Sequence, residues 1–327
     1  MEIDALDYAL PEAAIAQAPC EPRDAARLLV DRGADRLPEH RTVRDLPLLV
    51  GAGDVIVVND TRVRRARLRC CKATGGEVEV LLVDDLGDGR WEALVRPGRR
   101  VPPGTVLAAG AGVSVVVGDD HGDGLRTVTV SGDPESVGHV PLPPYIHAEL
   151  ADDERYQTVY ARHLGSAAAP TAGLHLTPAV LGACEAAGAQ IAALELVVGL
   201  DTFRPITAAR VEDHPMHSEA YAIPEATWKA CAEAERVLAV GTTTVRALES
   251  AAATGVLEGR TDLLLRPGSP LHVVDRLLTN FHVPRTTLLA LVAAVVGDRW
   301  RTLYATALAE GYRFLSFGDA MLLQRTA

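Results

Sequence analysis

The apolar and polar positions of the chain follow two different patterns. Before residue 66 and after residue 138, short aliphatic runs such as Val55–Val58 and Val237–Val240 alternate with stretches of helical period such as Pro178–Ala187. Buried strands that alternate with helices are typical of α/β proteins, whose sheet is covered on both faces. The pattern therefore predicts one α/β main domain built from both chain ends, residues 1–65 plus 139–327.

Further elements are expected in this domain. The predicted helices are Glu225–Arg236, Thr244–Ala253 and Thr286–Val296, and a further predicted strand is Ile191–Val198. Thr177 is placed to cap the helix Pro178–Ala187, because a threonine side chain accepts from the first turn and proline is favoured at its first position.

Residues 66–138 carry no helical period. Short alternating or β-branched segments, among them Glu77–Val83 and Arg90–Val95, are separated by glycine-containing turns such as Asp88-Gly89 and Pro103-Gly104. Strands that recur at this spacing favour a small antiparallel barrel or sandwich. We predict an inserted antiparallel β-barrel domain over residues 66–138, which makes the main domain discontinuous.

Composition and charge narrow the class of protein. Apolar residues make up 48% and charged residues 23% of the chain, which is ordinary for a globular protein. The longest apolar run, Leu288–Val296, is too short to cross a membrane, and the acidic start of the chain does not resemble a signal peptide. We expect a cytoplasmic monomer that does not bind membranes.

The positive charge is almost all arginine and is clustered, although the net charge is −11. Arginine forks match phosphate geometry, so a local cluster indicates RNA binding even on an acidic protein. An arginine-rich solvated surface explains the same pattern equally well. The predicted RNA-binding residues are Arg64, Arg65, Arg67, Arg69, Arg99 and Arg100.

Metal-binding patterns are weak. Five cysteines form no CxxC pair, and His214 and His217 stand three residues apart in a loop that contains a proline. Neither arrangement is a convincing ligand set. We predict no metal and no prosthetic group.

Polar clusters follow predicted strands or open predicted helices, where α/β proteins hold ligands. His175 lies in the run PTAGLH (170–175), and His217 and Glu219 lie in the run MHSE (216–219). We predict that these three side chains transfer protons, because imidazole and carboxylate groups serve as general acids and bases. Taken singly, each cluster is also explained by a helix cap or a turn.

Anion anchors and other ligand contacts complete the predicted site. A helix that begins near Thr242 offers backbone N–H groups to a carboxylate or phosphate, and Arg246 or Arg204 offers a guanidinium. We expect His175 and His217 to share one cleft with residues 242–246 and 280–282. The predicted substrate-binding residues are Asn59, Asp60, Arg62, Thr171, Gly173, Arg204, Thr242, Thr243, Arg246, Asn280, His282, Arg313 and Asp319.

Read in order, the clusters resemble the tRNA ribosyltransferase-isomerases of queuosine synthesis along nearly the whole chain. The matching runs are LPE (10–12), EPRD (21–24), NDTRV (59–63), GHVPLPPYI (138–146), ERYQTVY (154–160), APTAGLH (169–175), MHSE (216–219), GTT (241–243), RALES (246–250), TNFH (279–282) and GYRF (311–314). An ordered series of this length is highly specific.

The resemblance implies a reaction. The ribosyl part of S-adenosylmethionine, a substrate here, moves onto 7-aminomethyl-7-deazaguanine at the wobble position of tRNA, which gives epoxyqueuosine, adenine and methionine without a metal. The chain departs from the family pattern at Val197, where histidine is usual, and at Asp201, where glycine is usual. Two alternatives stay open: a paralogue that uses S-adenosylmethionine on a small molecule, and a non-catalytic RNA-binding protein.

Overall fold

The protein consists of two compact units. The computed structural model describes residues 1–33, 35–122, 124–199, 206, 208–216 and 218–326. One unit, here the α/β unit, contains Met1–Arg62, Pro143–His163 and Ala169–Ala327, and the other, the barrel unit, contains Val63–Leu142 and Leu164–Ala168. The domain boundaries predicted from the sequence stay a prediction.

The secondary structure matches the two patterns of apolar and polar positions in the sequence. The strands are β1 Arg27–Val30, β2 Glu39–Thr42, β3 Asp54–Asn59, β4 Thr61–Val63, β5 Arg67–Lys72, β6 Glu77–Gly87, β7 Arg90–Arg96, β8 Val106–Gly110, β9 Val113–Gly122, β10 Leu125–Ser131, β11 His163–Ser166, β12 Gln190–Leu196, β13 Glu219–Ala222, β14 Arg236–Val240, β15 Glu258–Thr261, β16 Arg276–Asn280 and β17 Ala320–Gln324. The α-helices are α1 Pro178–Ala186, α2 Glu225–Glu233, α3 Thr242–Thr254, α4 Thr287–Val296 and α5 Arg299–Ala309. A 3₁₀ turn spans Thr171–His175.

A nine-stranded sheet forms the α/β unit, in the order β15-β13-β12-β3-β14-β16-β17-β1-β2. Strands β12, β3, β14 and β16 are mutually parallel. All six residues of β3 are buried, as its continuous β-branched run predicts for a central strand. Ile56, Leu238, Leu278 and Leu322 from neighbouring strands are at most 1% exposed, and burying each such side chain contributes about 1.5–3 kcal/mol.

The barrel unit contains a closed six-stranded barrel, in the order β10-β7-β6-β5-β8-β9. All of its neighbouring strands pair in the antiparallel direction. The burial of β7 alternates strictly, with Trp91, Ala93 and Val95 inside the barrel, as its sequence pattern predicts. The predicted fold class, an α/β main domain with an inserted antiparallel barrel, is confirmed.

Helix ends differ from the sequence-based bounds where backbone partners compete. The second helix ends at Glu233, because Arg236 begins strand β14 and pairs with Asp54 of β3. The third helix begins at Thr242, directly after Gly241, whose φ of +90° turns the chain out of β14. The Thr177 cap is confirmed, since its Oγ1 accepts from the N–H of Val180 at 3.2 Å. None of the described helices is long and apolar enough to span a membrane.

Candidate active site

Four parallel strands end at one edge of the large sheet. Along the chain these strands come in the order β3, β12, β14 and β16, but in the sheet they lie in the order β12-β3-β14-β16. The chain runs from β3 to β12 in one direction across the sheet and from β14 to β16 in the other, so the connections reverse direction between β3 and β14. Open α/β sheets bind their ligands at such a switch point, outside the carboxyl ends of the strands. Strand β17 runs antiparallel to β16, so its amino end reaches the same edge.

A cleft of about 600 Å³, here called the hydroxyl cleft, lies at this edge. Its polar lining is mostly hydroxyl and amide groups rather than charges. The lining residues are Tyr145, Ala169, Pro170, Thr171, Ala172, Val198, Gly241, Thr242, Thr243, Thr279, Asn280, Phe281, His282, Val283, Thr286, Leu288, Leu315 and Ser316. Such a lining suits a polar, uncharged group such as a nucleoside.

Stacked aromatic rings fix the loops that carry these side chains. Phe281, directly after β16, stacks on Phe314 with ring centroids 4.7 Å apart, and both rings are fully buried. The N–H of Leu315 donates to the carbonyl of Phe281 at 3.1 Å. Pairs of this kind stabilise by about 0.5–1.5 kcal/mol beyond the area they bury. The loop after β16 and the segment before β17 are thereby held together.

Asn280 is the centre of a directional hydrogen-bond network. Its Nδ2 donates to the carbonyl of Leu315 at 3.2 Å, which fixes the orientation of the amide because a carbonyl only accepts. The same Nδ2 lies 3.0 Å from Nε2 of His175, which must therefore accept. The hydroxyl of Thr171 then donates to Oδ1 of Asn280 at 2.9 Å. With its proton used, Thr171 presents only lone pairs to the cleft.

His175 lies behind Asn280 and does not line the hydroxyl cleft. Its side chain is buried, and burial, with a smaller contribution from Arg313 and Arg23, lowers its pKa to about 4. It is therefore neutral at physiological pH, with its proton on Nδ1. A general base works best when its pKa is near the operating pH, so this geometry favours a role in positioning Asn280. The predicted proton transfer by His175 stays a prediction.

His282 lines the cleft directly. Its Nε2 lies 2.9 Å from the hydroxyl of Thr279, and its backbone N–H donates to the hydroxyl of Tyr304 at 3.0 Å. Burial lowers the pKa of His282 to about 3, so it is neutral as well. Both histidines near this edge thus act as uncharged hydrogen-bonding groups.

The start of α3 borders the cleft. Thr242 and Thr243 are its first residues, and both line the cleft. The amide of Asn59, at the end of β3, donates to the hydroxyl of Thr243 at 3.3 Å. This contact joins the end of β3 to the start of α3, the helix that follows β14. The backbone N–H groups of a helix start can bind a partial or full negative charge, and the predicted anion anchor at Thr242 and Thr243 stays a prediction.

A second cavity of about 540 Å³, here called the leucine cavity, adjoins the first through the shared residue Leu288. Its lining residues are Gly199, His214, Met216, Glu219, Arg246, Leu263, Leu264, Leu265, Thr287, Leu288 and Leu291. The guanidinium of Arg246 pairs there with the carboxylate of Glu219, and both side chains are more than nine-tenths buried. The N–H of Gly199 donates to the other carboxylate oxygen at 2.9 Å.

Other predicted ligand residues make hydrogen bonds or close contacts within the protein. The amide of Asn59 exchanges hydrogen bonds with the backbone of Leu196 at 3.0 and 3.1 Å and is fully buried. The carboxylate of Asp319 accepts hydrogen bonds from the backbone N–H groups of Arg27 and Arg313. Gly173 is buried where a Cβ atom would lie 2.0 Å from the Tyr160 hydroxyl. These residues fix loops at the edge of the sheet.

Asp60 and Arg62 lie apart from the two cavities. Asp60 lines a separate cavity beside Tyr160 and Arg162, and burial raises the pKa of its carboxyl group. The guanidinium of Arg62 pairs with Glu154. Their assignment as substrate contacts stays a prediction.

Two predicted site residues, His217 and Arg204, lie outside the described residues, as does Asp201. Val197 is described: it is half-buried and its N–H donates to the carbonyl of Ala220 at 2.9 Å. The neighbouring Val198 lines the cleft instead. Within the described part of the chain, no group of three or more His, Cys, Asp or Glu side chains is arranged to hold a metal ion.

One pair of hydroxyl groups in the cleft was not predicted from the sequence. The hydroxyl of Tyr145 lies 2.7 Å from that of Ser316. Both residues stand inside or beside runs that resemble the family, GHVPLPPYI and GYRF, but neither has a spacing that signals chemistry on its own.

The predicted RNA-binding arginines belong to the barrel unit. Arg69 points outward from β5 and stands opposite Glu79 of β6 in the strand register. The guanidinium of Arg64 lies 5.1 Å from the ring of Trp91, and Arg99 and Arg100 are exposed. Residues 63–142 contain ten basic and eleven acidic residues, so nearly all of the net charge of −11 lies in the other unit. A nearly neutral barrel unit repels the phosphates of RNA less than the net charge of the whole chain suggests.

Known proteins resemble this chain over almost its full length. A family described as queuosine biosynthesis protein matches residues 3–323. The S-adenosylmethionine:tRNA ribosyltransferase-isomerase of Rubrobacter xylanophilus is 52% identical over 327 residues, which cover 99% of this chain and 98% of that protein. The protein of the same name from Thermus thermophilus is 51% identical over 345 residues, with coverage of 98% and 99%.

A solved structure has a similar fold. The crystal structure of the S-adenosylmethionine tRNA ribosyltransferase from Thermotoga maritima superposes with a TM-score of 0.57. The two sequences are 35% identical, and the match covers 97% of this chain and 99% of the other.

Proposed function

This chain belongs to the queuosine biosynthesis protein family, and from that membership we propose that it moves the ribosyl part of S-adenosylmethionine onto tRNA. The acceptor is the aminomethyl group of 7-aminomethyl-7-deazaguanine at the wobble position. Three bonds of the ribosyl part break: the bond to adenine, the carbon–sulfur bond and one carbon–oxygen bond of the furanose ring. Three bonds form: a carbon–nitrogen bond to the amine, a carbon–carbon bond that closes the five-carbon ring, and the carbon–oxygen bond of the epoxide. The amine and the carbon beside sulfur each lose a proton; one of the two leaves with adenine and the other is released. The products are epoxyqueuosine-tRNA, adenine and methionine.

The observation that carries the proposal is identity of about 50% to proteins of this name from end to end of the chain. The chemistry of the hydroxyl cleft supports it, because a ribose and a purine need neutral hydrogen-bonding partners. The described lining offers seven hydroxyl groups, from Tyr145, Thr171, Thr242, Thr243, Thr279, Thr286 and Ser316, and the amide of Asn280.

The reaction also needs a proton acceptor, because the sulfonium acidifies the carbon beside it. Burial keeps His175 and His282 neutral with low pKa values, so both are weak bases at physiological pH. His217 and Glu219 therefore remain the stronger candidates for proton removal. In this proposal, Thr171 and Asn280 orient the nucleoside, and the arginines of the barrel unit contact tRNA phosphates.

The test is adenine release, measured by chromatography after incubation with S-adenosylmethionine. We expect release with tRNA that carries 7-aminomethyl-7-deazaguanine and none with the same tRNA carrying guanine at that position. Mass spectrometry of the digested tRNA should show epoxyqueuosine in the amount of adenine released.

Two results would contradict the proposal. Adenine release without RNA would point to a paralogue that modifies a small molecule. Tight tRNA binding without adenine release would point to a non-catalytic RNA-binding protein.

A further inference from the structure

The leucine cavity differs in chemistry from the cleft that it adjoins. Five leucines and Met216 form most of its wall. Among the described lining residues, the polar side chains are the buried ion pair of Arg246 with Glu219, the imidazole of His214 and the hydroxyl of Thr287. An apolar wall with a single pair of opposite charges fits a flexible aliphatic chain that ends in a carboxylate and an ammonium group. That description matches an α-amino acid with a thioether side chain.

The ion pair is costly unless it serves a ligand or a network. Taking two charges out of water costs several kcal/mol each, and a buried pair often stabilises no more than apolar residues of the same size. The Nε of Arg246 donates to the carbonyl of Leu263 at 3.1 Å, and its second terminal nitrogen donates to the carbonyl of Thr261 at 3.3 Å. These contacts and the ion pair with Glu219 fix the plane of the guanidinium.

The two cavities lie side by side. Leu288 lines both of them, and Thr243 in the cleft stands one helical turn before Arg246 in the cavity. A ligand that spans both meets hydroxyl groups at one end and leucines with a charge pair at the other. S-adenosylmethionine is divided in the same way, into a nucleoside and an amino acid joined at the sulfonium.

We propose that the leucine cavity binds the methionyl part of S-adenosylmethionine, with its carboxylate on Arg246, its ammonium on Glu219 and its methylene chain against the leucines. This inference rests on the proposed function, because it assumes S-adenosylmethionine as the substrate. It makes Arg246 and Glu219 a recognition pair for a zwitterion, so Glu219 binds substrate in addition to any part in proton transfer.

The first experiment compares S-adenosylmethionine with its decarboxylated analogue, which keeps the ammonium but lacks the carboxylate. A hydrogen bond to a charged group contributes about 1.5–3 kcal/mol, so we expect kcat/KM for the analogue to be about 10- to 150-fold lower in the wild-type enzyme. Equal kcat/KM values for the two compounds would overturn the proposal.

The second experiment removes the pair as a unit. The double variant Arg246→Met/Glu219→Gln leaves no unpaired buried charge, so it tests binding with the least damage to folding. We expect its KM for S-adenosylmethionine to rise about 10- to 100-fold and its preference over the decarboxylated analogue to vanish. A preserved preference would overturn the proposal.

A control ion pair with a buried carboxylate and a half-exposed guanidinium lies at the amino ends of strands β14 and β3. Arg236 on β14 pairs with the buried Asp54 on β3, at 2.6 Å, away from both cavities. The variant Arg236→Met/Asp54→Asn should lose stability but keep the preference for the carboxylate. If it loses the preference to the same degree, the effect is structural and the proposal fails.

A milder variant covers the case in which the double variant does not fold. Arg246→Lys keeps a positive charge for Glu219 but loses the planar fork, so the preference should fall about tenfold. An unchanged preference would overturn the proposal. Failure of the proposed function looks different: the wild-type enzyme would then release no adenine from S-adenosylmethionine and modified tRNA.

Discussion

The buried state of His175 makes a quantitative prediction about stability and pH. Replacing His175 by leucine removes the acceptor of the Asn280 amide and leaves a buried N–H group unpaired. We expect the variant to be about 1–3 kcal/mol less stable than the wild type at pH 7.5. This loss by itself does not distinguish His175 from any other buried polar residue, so the pH dependence is the decisive measurement.

The magnitude follows from the pKa of His175. Burial lowers it to about 4 in the folded protein, from an ordinary value of 6.5. Between these values the unfolded chain binds a proton that the folded protein does not, so stability falls as the pH falls below 6.5 and levels off below 4. At pH 5.0 the wild type should have lost about 2 kcal/mol through His175. The leucine variant lacks this loss, so from pH 7.5 to 5.0 its stability relative to the wild type should rise by about 2 kcal/mol.

The assay is urea unfolding followed by tryptophan fluorescence at pH 7.5 and 5.0. The chain has three tryptophans, and Trp91 is the one in the barrel unit. A Trp91→Phe background therefore makes the signal of Trp228 and Trp300 report on the α/β unit alone. His282 is present in both proteins, so its own titration cancels from the difference.

Thr171→Val serves as the matched control. It breaks the same network without removing a titrating group, so its stability gap to the wild type should be equal at the two pH values. A gap for His175→Leu that stays constant between pH 7.5 and 5.0 would refute the reasoning, because it would mean that His175 titrates alike in the folded and unfolded states.

Two further predictions concern packing and RNA binding. Gly173→Ala should lower the free energy of unfolding by about 1–3 kcal/mol, because its Cβ atom would lie 2.0 Å from the Tyr160 hydroxyl. Adding Tyr160→Phe should restore part of the melting temperature, and a single variant with no loss of stability would contradict the close approach. Replacing Arg64, Arg65 and Arg69 by alanine should weaken tRNA binding and flatten the plot of log affinity against log salt by about 0.7–0.9 for each phosphate that is no longer neutralised; an unchanged slope would mean that these arginines are only solvated surface.

The fold was largely predictable because its signals are local. Strand alternation and frequent turns identified the barrel, and the buried run at Val55–Val58 identified a central strand. The strand order at one side of the large sheet was not predictable. There β1 pairs with β17, with Leu29 opposite Met321, although the two strands lie near opposite ends of the sequence. No local pattern records which distant strand a segment will meet.

The site was predictable in its residues but not in their directions. The runs that contain Thr171, His175 and Asn280 stand out in the sequence, yet the sequence does not tell that Asn280 faces the cleft and His175 lies behind it. Glu219 and Arg246 were assigned separate tasks, as a base and as an anion anchor, and the fold joins them in one ion pair. The two partners stand 27 residues apart in the sequence and meet in the buried interior, and no local sequence pattern shows that they will pair.

The low pKa values of His175 and His282 suit the cationic substrate of the proposed function. Two positive charges about 5 Å apart repel each other by about 3 kcal/mol at an effective dielectric constant near 20. In the proposed function, a protonated His175 or His282 about 5 Å from the sulfonium of S-adenosylmethionine would oppose its binding by an amount of that order. Burial keeps both imidazoles neutral, and Glu219 balances the charge of Arg246. In the proposed function, the same desolvation that makes these histidines poor bases favours binding of the sulfonium, so substrate binding and proton removal fall to different groups of the proposed site.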